Sequence, residues 1–457
     1  MHNSGVTSWT RYLRYVPFLG IAALLFFTFR LYSSAYFWLD DYDNLYWVQK
    51  LSAFDLLKAI TNPASTYFRP TGMLFYWLEL RLFGTNAIAF HVLAWVLHAA
   101  NTALVYAVLR RIVHSDPGAA VGAMLFASEA VFTDIYWNFG TIFELVSGLL
   151  FFVGILIWSS DRRSWARVVL ATVVFVLAVK GKEMAITLPA IWLCYDLFFR
   201  TTAKWRCVVQ ILLPGGVGVL MALKGLAESR ATAPDAPYFM DISGVTLGRG
   251  FGVYFGMLSR INLKWQLWAI AFVALLLLLS MTKQQIAIFF QIWIFVTFLP
   301  VIFLVNHRYP FYWYIPFVGM CGLAARLVQW IIPLLKARIS SPSAEAAACL
   351  CFLVLCQTTY MVQKALTKYG RSFQHGIDVE HRGFIQGLVA LPSPPLNEVL
   401  YFESGPRFFE EIHLNSATQV ALRRTDVTAR LVDHFPEGAR YRLRFEDSKV
   451  VRISGGE

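Results

Sequence analysis

Charge is scarce in this chain. Only 15% of its 457 residues are Asp, Glu, Lys or Arg, against roughly 25% in soluble domains. Hydrophobic residues make up 57%. That balance excludes a soluble globular protein and leaves apolar sequence for about ten membrane spans of ~20 residues each. Disulfide-competent cysteines are also missing. Cys194, Cys207, Cys321, Cys349, Cys351 and Cys356 all fall in or beside apolar runs, so no disulfide framework is implied. Cys349 and Cys351 do not form a Cys-x-x-Cys pair. The late histidines His375, His381, His413 and His434 show no metal-site spacing. Internal repeats and low-complexity segments are absent. The first apolar run, Val16 to Tyr36, has no evident small-residue cleavage site and exceeds a signal-peptide core in length, so it is expected to be a retained anchor.

Hydropathy places candidate spans at 15–35, 87–109, 118–134, 140–159, 165–180, 184–199, 208–225, 264–281, 285–305, 312–333 and 345–364, eleven in all. With the N-terminus in the cytoplasm, the inside segments carry Arg11, Arg14, Arg110, Arg111, Arg162, Arg163, Arg167, Arg200, Lys204, Arg206, Lys283, Lys336 and Arg338, against only Asp116 and Asp161. This is the positive-inside pattern. The formal charge of +12 is read the same way, as basic loops and not as a nucleic-acid partner. The orientation expected puts Asp40, Asp134, Glu183, the 226–263 loop, His307-Arg308-Tyr309 and the C-terminal tail together on the extracytoplasmic side. Acidic, basic and aromatic groups from several loops on one face suit an active site above a helical bundle.

The stretch Tyr36-Phe37-Trp38-Leu39-Asp40-Asp41-Tyr42-Asp43-Asn44 carries three carboxylates at the mouth of a span. Ionised groups there are costly and mark function by default; the bland reading is a water-exposed aromatic belt. It opens a long first outer loop, 36–86. Residues 53–60 read as a short amphipathic helix and 72–83 as an interfacial helix rich in aromatics. Pro70 suits the start of the second helix. Arg69 before it could hold a phosphate through its fork, or simply pair with Glu79 or Asp43. His91, His98 and Asn101 share a helical face and read as hydrogen-bonding glue between helices. Glu144 sits about a turn into a span and needs a partner such as Arg69 or Lys182. Lys182-Glu183 opens an apolar helix, as an interface anchor or a phosphate contact. Asn306 to Tyr314 interleaves His307, Arg308 and Tyr309 with aromatics, which suits a lipid phosphate and a sugar ring or an ordinary belt with a snorkelling arginine.

The domain division expected is 1–367, the membrane part, and 368–457, a small soluble α+β domain. The second part holds twelve basic and twelve acidic residues. A helix is expected at 371–389, a strand at Glu398–Glu403 and a hairpin across Glu446-Asp447-Ser448.

Taken together, Leu39-Asp40-Asp41-Tyr42, Tyr67-Phe68-Arg69-Pro70, Phe90-His91 through His98-Ala99-Ala100-Asn101, Thr133-Asp134, Lys182-Glu183-Met184 through Pro189 with Tyr195-Asp196, and Arg308-Tyr309 with Tyr314-Ile315-Pro316 and Gly319 resemble the GT-C superfamily. These are membrane glycosyltransferases that use polyprenyl-phosphate sugars. The pattern looks closest to the transmembrane O-mannosyltransferase-like branch that often carries TPR repeats. There are departures. The family's His-Pro-x-His-Thr-Glu segment corresponds to Glu129–Asp134, which lacks both histidines and keeps the acidic position as Asp134. The glutamate that often precedes the late Arg-Tyr is His307, and no TPR repeats follow.

The resemblance implies a GT-C-like, α-helical polytopic membrane protein with about 11 transmembrane helices and a small C-terminal α+β extracytoplasmic domain. The implied activity is that of an inverting hexosyltransferase of a bacterial inner membrane, serving protein or lipid glycosylation. Asp40 or Asp41 would be the catalytic base, and Asp134 would orient the acceptor or help hold a metal. Arg69, Lys182 and Arg308 would bind the donor phosphate. Glu183, His91, His307 and Tyr309 are further site candidates. The partners implied are a polyprenyl-phosphate-sugar donor, membrane lipids and an acceptor of unspecified class, with no nucleic acid. Some relatives use a divalent cation (Mg or Mn) and some do not, so no metal ligand is assigned. The competing readings are a lipid-sugar transporter or flippase, and a non-catalytic scaffold of an envelope-glycan assembly.

Overall fold

The chain is mostly helical in a computed structural model that describes residues 19–23, 25–26, 35–62, 69–132, 134–160, 164–201, 204–230, 232–259, 284–338 and 375–453, with a few positions between 264 and 274. The spans expected at 15–35, 264–281 and 345–364 lie largely or wholly outside the described residues, as do Tyr67, Phe68 and Thr133. In chain order the helices are α1 (Leu39–Lys50), α2 (Ala53–Thr61), α3 (Pro70–Phe83), α4 (Ala87–Val113), α5 (Asp116–Ser128), α6 (Asp134–Trp137), α7 (Ile142–Trp158), α8 (Trp165–Gly181), α9 (Leu188–Phe199), α10 (Lys204–Arg230), α11 (Gly244–Ser259), α12 (Gln285–Ile302), α13 (Phe317–Arg338), α14 (His375–Ala390) and α15 (Glu411–Leu422). Four strands follow the same count: β1 (Val399–Phe402), β2 (Thr428–Leu431), β3 (Tyr441–Glu446) and β4 (Lys449–Arg452). Among the described residues, four helical stretches are long and apolar enough to cross a membrane: Ala87–Val113, Phe139–Trp158, Lys204–Ala227 and Gln285–Ile302.

Two compact units result. One holds Leu97–Thr133 and Glu144–Val362 with the N-terminal residues; the other holds Phe29–Val96, Asp134–Phe143 and Gln363–Glu457. The first is a helical unit. Small residues let its helices approach closely, as is usual for packing in lipid. Gly118 and Gly122 on α5 meet the backbone of α13, where an added Cβ would lie 2.5 Å from the Ala325 carbonyl and 2.8 Å from that of Cys321. The expected span 118–134 is shorter than proposed, because α5 ends at Ser128 and a 3-10 turn, Ala130–Phe132, follows. Tyr195-Asp196 serves structure here. Asp196 is fully buried, pairs with Arg200 at 3.0 Å and accepts from Trp158 Nε1 at 3.2 Å, while Trp158 stacks on Trp192 with ring centroids 4.6 Å apart.

The second unit is mixed. Its sheet has the order β2-β1-β3-β4. β1 pairs in parallel with β2 and β3, and β3 pairs antiparallel with β4. The expected hairpin and the strand at Glu398–Glu403 are present. Asp447 and Ser448 both take positive φ, 50° and 58°, the geometry of the tight hairpin turn whose twist matches its strands. Helix α14 covers the expected 371–389 region from His375 onward. Helix α15 and strand β2 were not expected. Both α14 and α15 pack on the sheet, and α15 also packs against α1 from the first outer loop.

Candidate active site

The carboxylates of Leu39-Asp40-Asp41 stand at the start of α1, where the unsatisfied amides and dipole of a helix N-terminus favour negative charge. The two neighbours differ sharply. Asp40 is exposed. Asp41 is fully buried. Its Oδ2 accepts the Trp38 amide at 2.7 Å, closing the first turn on itself. Its Oδ1 accepts the Tyr76 hydroxyl at 2.6 Å, and the Phe139 amide adds a third bond. Asn44 Nδ2 donates to the same Tyr76 oxygen at 3.3 Å. Burial is the larger force on Asp41. It pushes the carboxyl up to about 7 against the opposing pull of these donors. Burial and the nearby Asp41 charge push the Tyr76 hydroxyl well up, so Tyr76 stays a donor.

This predicts a pH dependence. A carboxyl whose folded value lies above its unfolded one takes up a proton on folding between the two. Its stabilising contribution is complete below pH about 4 and is lost as the pH rises through about 7. Over that window Asp41 alone removes up to about 4 kcal/mol. Asp41→Asn, which cannot ionise, should flatten the fall in thermal stability between pH 5 and pH 8 in detergent-solubilised protein. An unchanged slope would mean that Asp41 is charged throughout.

Arg69 is the residue before α3, with Pro70 at the first helical position as expected. It takes a left-handed conformation, φ 45° and ψ 58°, which costs on the order of 1 kcal/mol for a residue with a Cβ and clusters at functional sites. Its guanidinium lies over the Phe143 ring, 5.4 Å from the centroid. Phe143 and Phe139 flank Tyr76 at 5.9 and 4.7 Å, so Arg69, Tyr76 and Asp41 border one aromatic cluster. Asp134 opens α6 one turn before the Phe139–Thr141 turn. It is partly buried, and that burial pushes its carboxyl up to about 6. His91 is fully buried, with Nε2 on the Tyr36 carbonyl at 3.2 Å, which anchors the chain entering the acidic stretch.

The C-terminal segment braces the same helix. His381 Nδ1 meets the Phe37 carbonyl at 2.9 Å, and its ring packs 4.7 Å from Phe409 and 5.8 Å from Tyr42. His413 Nδ1 pairs with Asp43 Oδ2 at 3.0 Å, and that hydrogen bond raises the imidazole above its ordinary value. Asp43 is therefore held by His413. Tyr76, His381 and His413 were not among the expected site residues.

The remaining candidates lie in the helical unit. Lys182 and Glu144 form an ion pair at 2.8 Å and are only 4% and 3% exposed. Lys182 Nζ also lies 5.3 Å from the Tyr312 ring centroid. Glu144, Ser147, Lys182, Met184, Tyr314 and Ile315 line a small pocket. Next to it, the Tyr314 hydroxyl meets His98 Nδ1 at 2.9 Å and Asn101 Nδ2 at 3.0 Å, and Asn101 Nδ2 also reaches the Leu145 carbonyl at 2.8 Å. His98 and Asn101 thus join neighbouring helices. Glu183 is half-buried at the start of a 3-10 turn, Glu183–Thr187. His307 packs against Tyr238 at 4.6 Å and Tyr309 at 4.5 Å. Tyr309 is exposed and stacks on Phe311 at 5.1 Å. Arg308 is half-buried, and its Nε donates to the Leu304 carbonyl at 2.7 Å. Among the described residues no group of three or more His, Cys, Asp or Glu side chains could hold a metal ion.

No family model matches the chain, and no curated protein matches it in sequence. Among solved structures it is similar to ArnT from Cupriavidus metallidurans bound to undecaprenyl phosphate. The two are 14% identical with a TM-score of 0.52, over 93% of this chain and 86% of that one. It is also similar to the same protein in the apo state, at 14% identity and a TM-score of 0.49 over 94% and 87%. At that identity the likeness to the undecaprenyl-phosphate complex is one of fold. With the four apolar helices, it makes this chain a polytopic membrane protein of ArnT-like architecture.

Proposed function

We propose that the protein is an inverting glycosyltransferase. It moves a hexose from a polyprenyl-phosphate carrier to a hydroxyl or amine acceptor on the extracytoplasmic side of a bacterial inner membrane. The observation that carries this reading is the division of labour at the start of α1. An exposed carboxylate, Asp40, stands beside a buried one, Asp41, whose oxygens are taken up by Tyr76 and the Trp38 amide. Two adjacent carboxylates in such different surroundings suit different tasks. Asp40 can reach an acceptor and take its proton. Asp41 is a positioning residue that fixes the first turn.

The chemistry then balances simply. The acceptor oxygen or nitrogen loses its proton to Asp40 and attacks the anomeric carbon from the face opposite the phosphate. The bond from that carbon to the phosphate oxygen breaks. The lipid phosphate leaves with the bonding pair, and the configuration inverts. Charge growing on the phosphate needs preorganised cations. Lys182 already balances Glu144, so this reading gives that task to Arg69, and gives Asp134 the orientation of the acceptor. The motif resemblance to the GT-C superfamily supports the reading. So does the shared fold with a protein solved with undecaprenyl phosphate. The packing of α15 on α1 supports a C-terminal domain on the same side as the first loop.

The test is a panel of polyprenyl-phosphate sugars presented to the full chain in proteoliposomes. The expected outcome is loss of sugar from at least one donor with release of polyprenyl phosphate. Movement of an intact donor across the bilayer without cleavage would instead favour a flippase, and neither cleavage nor movement would favour a scaffold.

A further inference from the structure

The C-terminal segment grips the first outer loop through side chains that the reading above leaves without a task. Helix α15 packs on α1, and three contacts fasten the two segments. His413 on α15 meets Asp43 on α1, Nδ1 to Oδ2, at 3.0 Å. His381 on α14 meets the Phe37 carbonyl, just before α1, through Nδ1 at 2.9 Å. The Arg423 guanidinium, just after α15, stands against Gly84 just after α3, where an added Cβ would lie 2.9 Å from Nη2.

The two imidazoles sit in opposite surroundings. His413 is partly open, its side chain 15% exposed. The charges acting on it are Asp43 and Asp40 on α1 and Glu410 at the start of α15, all of them negative. The other Asp43 oxygen, Oδ1, is buried with no hydrogen-bond partner, so a positive ring on His413 offsets a carboxylate that is partly withdrawn from water. The hydrogen bond to Asp43 raises the ring above its ordinary value. His381 is fully buried, with the rings of Trp38, Tyr42 and Phe409 around it. A carbonyl only accepts, so Nδ1 carries the proton that meets Phe37. Nε2 is buried with no hydrogen-bond partner among the described residues. A second proton there would put a charge and an unsatisfied donor into that enclosure. Burial holds the ring below its ordinary value, against the pull of the Phe37 and Arg407 backbone and of Glu380; the Arg407 charge acts with burial. Asp378, one turn earlier on α14, acts on Tyr42. Strand β4, with Lys449 and Arg452, packs on α14 at Gly383 and Gly387, and β2, with Arg430, packs on α15.

We propose that these two histidines make the grip of the C-terminal segment on α1 sensitive to pH, tightest when His413 is an imidazolium and His381 a neutral imidazole. By linkage, a ring that the closed state favours protonated contributes fully below the free imidazole value of about 6.5 and loses that contribution as the pH rises. A ring that the closed state favours neutral contributes fully above about 6.5 and loses it as the pH falls. The two limbs meet near pH 6.5, close to neutrality. Arg423 keeps its charge over the whole range and its contact is common to both limbs. The grip does not rest on the transferase reading; its consequence for catalysis does, because α1 carries Asp40.

The experiment follows hydrogen exchange at the α1 amides by mass spectrometry, in the full chain in nanodiscs, from about pH 5 to about pH 8.5, corrected for the intrinsic exchange rate. Variants are His413→Asn, Asp43→Asn and His381→Asn. Protection is taken as the ratio of wild type to variant, so the titration of Asp41 on the same helix cancels. Against His413→Asn, and equally against Asp43→Asn, the ratio should fall about threefold from pH 6 to pH 8.5, the size expected of a partly exposed pair. Against His381→Asn it should fall about tenfold or more from pH 6.5 to pH 5, because that ring is fully enclosed. Exchange of the imidazole C2 hydrogens in the unmutated chain reads both rings directly, so a variant that fails to fold leaves the test intact. His413 should titrate above the free value and His381 below it. A ratio that stays within about twofold across either range, or either ring titrating at the free value, would overturn the proposal.

Discussion

Asp40→Asn should abolish sugar transfer while leaving the protein folded. Removing a positioned general base costs typically 10²–10⁴-fold in rate. Asp40 is exposed, so the isosteric amide leaves no buried group unsatisfied, and thermal stability should hold within about 0.5 kcal/mol. The loss should appear in kcat with little change in KM, because a base acts mainly in the transition state. Asp41→Asn provides the contrast. There the amide keeps one acceptor oxygen where Asp41 offers two, one to Tyr76 and one to the Trp38 amide, in a site with no exposure, so stability and its pH dependence move together with activity. If Asp41→Asn were inactive and Asp40→Asn fully active, the roles of the two carboxylates would be exchanged. Steady-state kinetics with melting curves for both variants separates these cases.

The second large effect is structural. Lys182→Met should destabilise the protein by about 3–5 kcal/mol, because it leaves the Glu144 carboxylate buried without its counter-charge. Glu144→Gln should do the same to Lys182. The pair is 2.8 Å apart and almost wholly enclosed, so neither survivor can turn to water. The double variant Lys182→Met/Glu144→Leu removes both charges and should recover most of the loss. A double-mutant cycle on thermal unfolding in nanodiscs measures the coupling. Additive losses would show that the two side chains are not paired.

Hydropathy made the helices legible and left the contacts between them hidden. The long apolar runs at 87–109, 140–159, 208–225 and 285–305 correspond to helices, because an uninterrupted apolar stretch in lipid has little alternative. The alternating strands of the β3–β4 hairpin were visible for a similar reason, since period two is a local signal. Helix α15 was not. Its buried face includes Ser416, Thr418 and Gln419 beside Leu414, Ala417 and Val420, so no apolar stripe marks it. Strand β2 buries Ala429 alone and carries no alternation.

The acidic stretch at Asp40-Asp41 could be singled out because three carboxylates beside a span are unusual. Which of them faces water could not, since that depends on Tyr76, thirty-five residues away. His381 and His413 looked like unused histidines because their partners, the Phe37 carbonyl and Asp43, lie more than 340 positions earlier.

The most direct test of the central claim is single-turnover product analysis with purified full-length protein and a polyprenyl-phosphate sugar that it binds. The expected result is polyprenyl monophosphate together with a glycosylated acceptor of inverted anomeric configuration, formed by wild type and reduced at least 100-fold in Asp40→Asn. An intact donor after many residence times with a full range of hydroxyl and amine acceptors, or equal turnover by Asp40→Asn, would contradict it.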